Sequence, residues 1–264
     1  MEHVLDNLPR EVAHAVQHFW RTRVDQQRRQ AAAGKVDQGT RSAVTGGRQM
    51  DGFVDLMVRL IVEAGMPQAR IFRRASVERA LGRAGHKQGT RGRRQGGLEL
   101  PGFFRPTKEW DLLVVVDGQL FVVMELKSQV GPSFGNNFNN RCEEAIGSAV
   151  DLWTAYREGA LGSSSGLWLG YLMLLEDCEK SRAAVNVMEP HFPVFEEFRN
   201  ASYMKRYELL CRRLVRERHY AAAALVVSQA RMGLDGKFTE PAEDIGLTRL
   251  ARSLAAHVGA YRSQ

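Results

Sequence analysis

Cysteine and proline are scarce in this chain, and no long apolar run occurs. Its three cysteines, Cys142, Cys178 and Cys211, form no CxxC pair, which argues against a disulfide framework or a structural zinc site and for a reducing compartment. The seven histidines show no metal-ligand spacing. No window approaches the roughly eighteen apolar residues that a membrane span requires. Met1–Arg10 carries acids and a proline where a signal peptide needs an apolar stretch, so a cytoplasmic protein with no membrane partner is expected. With 8 prolines against 25 glycines, 44% hydrophobic and 25% charged residues, wholesale disorder and a collagen-like repeat are excluded. The 264 residues suffice for one large domain with a sizeable core, and no internal repeat divides them.

What the chain has is positive charge, unevenly placed. The formal charge is +7, but residues 1–110 hold 20 Lys and Arg against 11 Asp and Glu, and residues 111–264 hold 17 against 19. The first half is therefore +9 and the second −2. Between Arg73 and Arg105 stand nine basic residues and only two acids, Glu78 and Glu99. Such a cluster suits a polyphosphate partner, because neutralised phosphates release condensed counterions; a solvated basic arm is the plainer alternative.

Apolar spacing predicts an amphipathic helix over Pro9–Ala33 and a second over Asp51–Glu63, the latter with Phe53, Leu56, Met57, Leu60 and Ile61 as its buried stripe. A short basic helix is expected at Ser76–Arg83. Asp111–Val116 and Leu120–Leu126 read as strands joined through Asp117-Gly118, a strong hairpin signal. Ser128–Arg141, rich in Gly and Asn, reads as a loop leading to a helix over Asn140–Tyr156, with Asn140 as its cap. A strand at Leu167–Leu175, a helix at Tyr203–Arg218, a strand at Tyr220–Ser228 and a helix at Glu243–Tyr261 complete the order. The expected fold is α/β, a small mixed sheet flanked by helices, as one domain over 1–264. Within it residues 1–99 form a helical, basic, DNA-gripping part, 100–230 the catalytic core and 231–264 the C-terminal helix.

The hairpin carries the chemistry. If the loop is three residues, Asp117–Gln119, Asp111 stands opposite Glu125, whereas a two-residue loop shifts the pairing by one; strand alternation puts Glu125, Lys127 and Gln129 on one face. Carboxylates brought together repel and lose solvation, a cost that a hard divalent cation removes. Mg²⁺ accepts one or two carboxylates and keeps several waters. Asp111, Glu125 and the carbonyl of Leu126 are the candidate ligands, with Lys127 beside a metal-bound water. This is equipment for phosphodiester hydrolysis. The alternative is an edge hairpin whose acid and lysine are merely neighbours on a solvated strand.

Asp111 followed by Glu125-Leu126-Lys127 resembles the PD-(D/E)XK nuclease motif, although Trp110 stands where proline is usual. The longer words LPGFFRPTKEWDLLV (Leu100–Val114), ELKSQVGPSFGNNFNNR (Glu125–Arg141) and EEAIGSAVDLWTAYREGALG (Glu143–Gly162) resemble the XhoI family of type II restriction endonucleases. HFWRTR, QGTRSAVTGGRQMDGF and LGYLMLLED fit as well. The resemblance implies a homodimer that cuts a palindromic duplex of the CTCGAG type with Mg²⁺, leaving 5′-phosphate and 3′-hydroxyl ends. It implies Asp111 and Glu125 as metal-binding acids and Lys127 as the catalytic lysine. A further acid from a preceding helix is common in the superfamily, and Asp51, Asp55 and Glu63 are candidates, Asp55 preferred. A structure-specific repair nuclease on the same fold, or a non-catalytic DNA-binding protein, are the other readings.

Base readout in the major groove draws on Arg, Asn and Gln. Gln129, Asn136, Asn137, Asn139 and Arg141, directly after the catalytic strand, are candidates for DNA contact, and so are Arg41 and Arg48 in the preceding glycine-rich loop. Arg91, Arg93 and Arg94 suit phosphates.

Overall fold

The computed structural model describes residues 4–32, 48–74, 97–162 and 166–261. The expected basic helix at Ser76–Arg83, the arginines at 91, 93 and 94, and Arg41 lie outside the described residues.

Helices α1 (Leu8–Ala32) and α2 (Asp51–Glu63) form where the apolar spacing places them. Val12, Val16, Phe19 and Trp20 of α1 and all five stripe residues of α2 are buried. Gly65, at φ 105°, adopts the left-handed conformation that ends α2 and lets the Met66 N–H return to the Ile61 carbonyl at 3.1 Å.

A mixed five-stranded sheet follows, in the order β1 (Ile71–Arg73), β4 (Leu112–Val116), β5 (Gln119–Gln129), β6 (Trp168–Glu176) and β7 (Ala222–Ser228). Its first two pairings are antiparallel and its last two parallel. A separate small hairpin joins β2 (Glu99–Pro101) to β3 (Thr107–Glu109). Helices cover both faces, which is why β6 and β7 read as continuous apolar runs. On one side Leu112, Val122, Met124 and Leu172 share a core with α1, α2 and α5 (Leu247–Tyr261). On the other, Leu113, Val123, Tyr171 and Leu225 pack against α3 (Phe134–Arg157) and α4 (Tyr203–Arg216).

The expected register holds at the end of the hairpin near Asp111, but by a different route. The turn is a two-residue one, with both Asp117 (φ 52°) and Gly118 (φ 76°) left-handed, which matches the twist of the flanking strands. Val116 pairs with Gln119 and Val115 with Leu120, and the ladder then shifts so that Val114 faces Val122. Phe121 is the extra residue of a bulge. The bulge restores the pairing of Leu112 with Met124, which brings Asp111 alongside Glu125.

The larger correction concerns Ser128–Arg141. Ser128 and Gln129 still belong to β5, and α3 starts at Phe134, so the asparagines stand in the first turns of a helix and Asn140 is interior to it, not its cap. Tertiary packing overrides the local preference of Gly and Asn. Phe134 and Phe138, one turn apart, bury themselves against Tyr203 and Tyr207 of α4, with ring centroids at 5.8 Å for Phe134–Tyr203 and 5.2 Å for Phe138–Tyr207. Gly135 gives Tyr203 room there, since a Cβ would come within 2.9 Å of its hydroxyl oxygen. The last helix starts at Leu247, after a 3-10 turn at Glu243–Ile245.

Candidate active site

Strand β5 outruns its neighbour. β4 begins at Leu112, opposite Met124, so among the described residues no strand pairs with Glu125–Gln129 on the β4 side of β5. Asp111 stands at this step. Its own N–H donates to the Met124 carbonyl at 3.2 Å, and its Oδ2 accepts the Leu126 N–H at 2.7 Å. An extended residue turns its N–H and C=O to the same edge, so the Leu126 carbonyl faces the same opening as the Asp111 carboxylate.

Glu125 points to the face covered by α3 and α4 and is only 1% exposed. Its Oε1 lies 3.0 Å from the ammonium of Lys127 and 3.0 Å from that of Lys108. Its Oε2 lies 3.1 Å from the Tyr220 hydroxyl, whose proton is also within reach of the Ala145 carbonyl at 3.0 Å. Lys108 stands over the Trp110 ring, 4.0 Å from its centroid, and donates to the Glu109 carbonyl at 3.2 Å. Glu144 of α3 closes the far side, 3.8 Å from Lys127 and paired with Arg141 at 2.5 Å.

These contacts drive the two carboxyls apart. Burial favours the neutral form of Glu125, but the Lys127 and Lys108 ammonium groups outweigh it and hold the carboxyl below its ordinary range. Asp111 has less help: burial raises it above the usual value against the Leu126 N–H and the Lys127 charge. Burial would lower Lys127, yet Glu125, Asp111 and Glu144 raise it above an ordinary lysine, so its Nζ holds a proton and acts as a donor. Burial also pushes the thiols of Cys142 up to about 11 and Cys211 up to about 12, so neither is a nucleophilic thiolate at neutral pH.

Among the described residues no three His, Cys, Asp or Glu side chains stand together as a metal cluster. Two carboxylates and a backbone carbonyl remain, and this oxygen set fits a hard cation that retains waters better than it fits zinc.

The structure thus brings Asp111, Glu125, Leu126 and Lys127 together as the spacing predicts, and adds Lys108, Tyr220 and Glu144. Gln129 lies on the same face at the end of β5, buried, with its Nε2 lacking a hydrogen-bond partner. On α3, Asn137, Arg141 and Glu144 fall on one helical face at spacings of four and three, whereas Asn136 and Asn139 are exposed. Arg48 is exposed in a 3-10 turn before α2, its carbonyl 3.1 Å from His18 Nε2. Of the extra acids, Asp55 pairs with Arg73, whose strand residue faces Leu112, and Glu63 accepts the Val4 N–H at 2.8 Å. Only Lys108 had a nearby signal, three residues before Asp111; Tyr220 is 95 residues from Glu125.

A mixed five-stranded sheet covered by helices on both faces is the architecture of the restriction-endonuclease-like class. The chain itself belongs to the family described as Restriction endonuclease XhoI, which matches residues 29–85 and 80–240. It is 47% identical over 232 residues to the type II restriction enzyme BstVI of Geobacillus stearothermophilus, covering 86% of this chain and 94% of that one. It is 50% identical over 177 residues to the type II restriction enzyme XhoI of Xanthomonas vasicola (67% and 64% covered), and 45% identical over 188 residues to AbrI of Azospirillum brasilense (71% and 75% covered). No solved structure matches.

Proposed function

We propose that the chain is a cytoplasmic type II site-specific deoxyribonuclease of the PD-(D/E)XK type, hydrolysing both strands of duplex DNA at a palindrome of the CTCGAG type to leave 5′-phosphate ends. Family membership supports the restriction activity. The observation that carries the assignment of the site is Glu125, almost fully buried yet ionised between Lys108 and Lys127 and beside Asp111. A buried carboxylate so maintained is costly unless its charge is used.

Asp111, Glu125 and the Leu126 carbonyl would hold Mg²⁺. When bound, the ion supplies an activated water and offsets charge developing on the phosphate. The chain's own residues do the rest. The Leu126 N–H orients Asp111, Tyr220 fixes the Glu125 rotamer, and protonated Lys127 donates toward the attacked phosphate or the attacking water. Its ammonium attracts a phosphodiester brought to this end of β5 and offsets charge that develops on it. Base contact is assigned to Asn137 and Arg141, supported by the α3 face they share with Glu144, and to Gln129, supported by its unused Nε2 donor at the end of β5, with Arg48 assigned to the flanking duplex. Asn136, Asn139 and Arg41 complete the proposed DNA contacts.

A palindromic target calls for a two-fold enzyme. The segment between β6 and α4 exposes Met188, Phe192 and Phe195 among Glu189, Glu196 and Glu197, an apolar and acidic surface that suits a second copy better than DNA. The core that α1 and α2 share with the sheet and α5 supports a single nuclease domain.

Digesting a plasmid of known sequence with Mg²⁺ tests the reading. Discrete fragments ending at one palindrome are expected; smearing or branch-dependent cutting would point to a repair nuclease. Glu125→Ala should abolish cleavage and keep specific binding.

A further inference from the structure

The loop of the β2–β3 hairpin shows two aromatic rings to solvent on a backbone anchored from beneath. Phe103 is 55% and Phe104 68% exposed, edge to face with centroids 5.2 Å apart. Exposed rings of this size usually fold back onto the surface or sit on mobile chain. Here the buried Asp151 of α3 anchors the backbone that carries them. Its Oδ1 accepts the N–H groups of Phe103 and Phe104, each at 2.7 Å, and its Oδ2 accepts Arg105 Nε at 2.8 Å. Gly102 completes the turn, since a Cβ there would come within 2.4 Å of Asp151 Oδ2. Three hydrogen bonds and a glycine therefore maintain an outward-pointing apolar tip.

The tip is continuous with the catalytic site. Lys108, on the outgoing strand of the same hairpin, reaches Glu125, and Phe104 is four residues before it, no more than about 14 Å along extended chain. Phosphates of one DNA strand repeat about every 3.4 Å along the helix axis, so the chain between Phe104 and Lys108 spans about four base steps and one duplex can meet both the tip and the site. Charge selects the partner. The hairpin itself is balanced, Glu99 and Glu109 against Arg105 and Lys108, but Arg73–Arg94 just before it holds eight basic residues and one acid, which favours a polyphosphate partner on this side of the chain.

We propose that Phe103 and Phe104 form an apolar wedge that enters a groove of the bound duplex and unstacks a base step beside the cleaved bond, with Asp151 as the residue that positions it. This rests on the DNA reading above. Insertion of apolar side chains between base pairs kinks DNA and lets more of the protein surface reach it, and a wedge whose backbone is already anchored in the free protein has less backbone freedom to lose on binding.

The test uses the full chain and a duplex bearing the site found by plasmid digestion, with calcium replacing magnesium to hold off cleavage. 2-Aminopurine is placed in turn at each position within four base pairs of the cut. For the wild type, fluorescence should rise several-fold at one step. Phe103→Ala/Phe104→Ala should remove the rise and weaken binding roughly tenfold to a hundredfold, with an unchanged melting temperature, and Phe104→Trp should restore part of both. A double variant that binds, cuts and unstacks like the wild type overturns the proposal. So does one that sediments as a monomer while the wild type is a dimer and shows no unstacking, which would make the tip a protein interface. If the wild type neither binds nor cuts duplex DNA, the functional reading itself falls and takes the wedge with it.

Discussion

The Lys108 ammonium lies 3.0 Å from Oε1 of Glu125, the same oxygen that Lys127 engages at 3.0 Å. One carboxylate oxygen thus carries two cations from different strands, only one of them on the strand of Glu125. Lys108 supplies positive charge where a divalent ion would share Glu125, and it has a second resting place on the Trp110 ring. Replacing it by an isosteric apolar chain, Lys108→Met, should therefore tighten divalent-cation binding to the DNA-free protein by roughly tenfold, a modest share of the repulsion expected between close charges. Isothermal titration with Mg²⁺ or Mn²⁺ measures this, and an unchanged affinity would show that Lys108 does not compete.

Glu125→Gln removes the charge and leaves Lys108 and Lys127 facing a neutral amide. Cleavage should be lost by more than about a thousandfold. Stability of the metal-free protein should fall by about 1–3 kcal/mol, since partly buried cations then lack their partner. Urea denaturation in EDTA reads this separately from activity.

Asp111→Asn should have the opposite effect on the fold. Its carboxyl is raised by burial, so ionisation costs stability, while the amide oxygen can still accept the Leu126 N–H. A raised carboxyl contributes stability below its ordinary value of 3.8 and loses it as the pH rises through the folded value. Stability profiles of the wild type and Asp111→Asn should therefore coincide in acid and separate toward neutral pH, with the variant more stable by about 1 kcal/mol and inactive. Glu125, lowered instead, contributes above its ordinary 4.5 and loses this as the pH falls through its folded value, so Glu125→Gln should close its deficit only in acid.

Tyr220→Phe deletes one hydroxyl shared between Glu125 Oε2 and the Ala145 carbonyl. The expected cost is about 1 kcal/mol of stability and roughly a tenfold fall in cleavage, with little effect on DNA affinity, because the hydroxyl orients the acid and touches no substrate. An equal loss in binding would show that the change spreads beyond the site.

The elements that could be read ahead were those whose signal is local. The α2 stripe, the Asp117-Gly118 turn and the apolar runs of β4 to β7 follow from periodicity and turn chemistry. α3 shows the limit. Its first turns hold Gly135 and several asparagines, poor helix formers, and become helical because Phe134 and Phe138 find Tyr203 and Tyr207 some seventy positions later in the sequence. The bulge at Phe121 is equally silent, though its carbonyl lies 3.3 Å from His257 Nε2 and its ring stacks on that imidazole.

By itself, the order of residues determined the chemistry available: two carboxylates and a lysine at hairpin spacing, a basic first half and a family signature across the middle of the chain. The folded chain decided what that chemistry can do. Overhang of β5 beyond β4 opens an edge at Glu125, and the bulge keeps Asp111 in register with it. Packing of the β2–β3 hairpin, β7 and α3 brings Lys108, Tyr220 and Glu144 to the same few ångströms. Carboxyl ionisation depends on burial and on charges at that range, and neither quantity exists until the layers close.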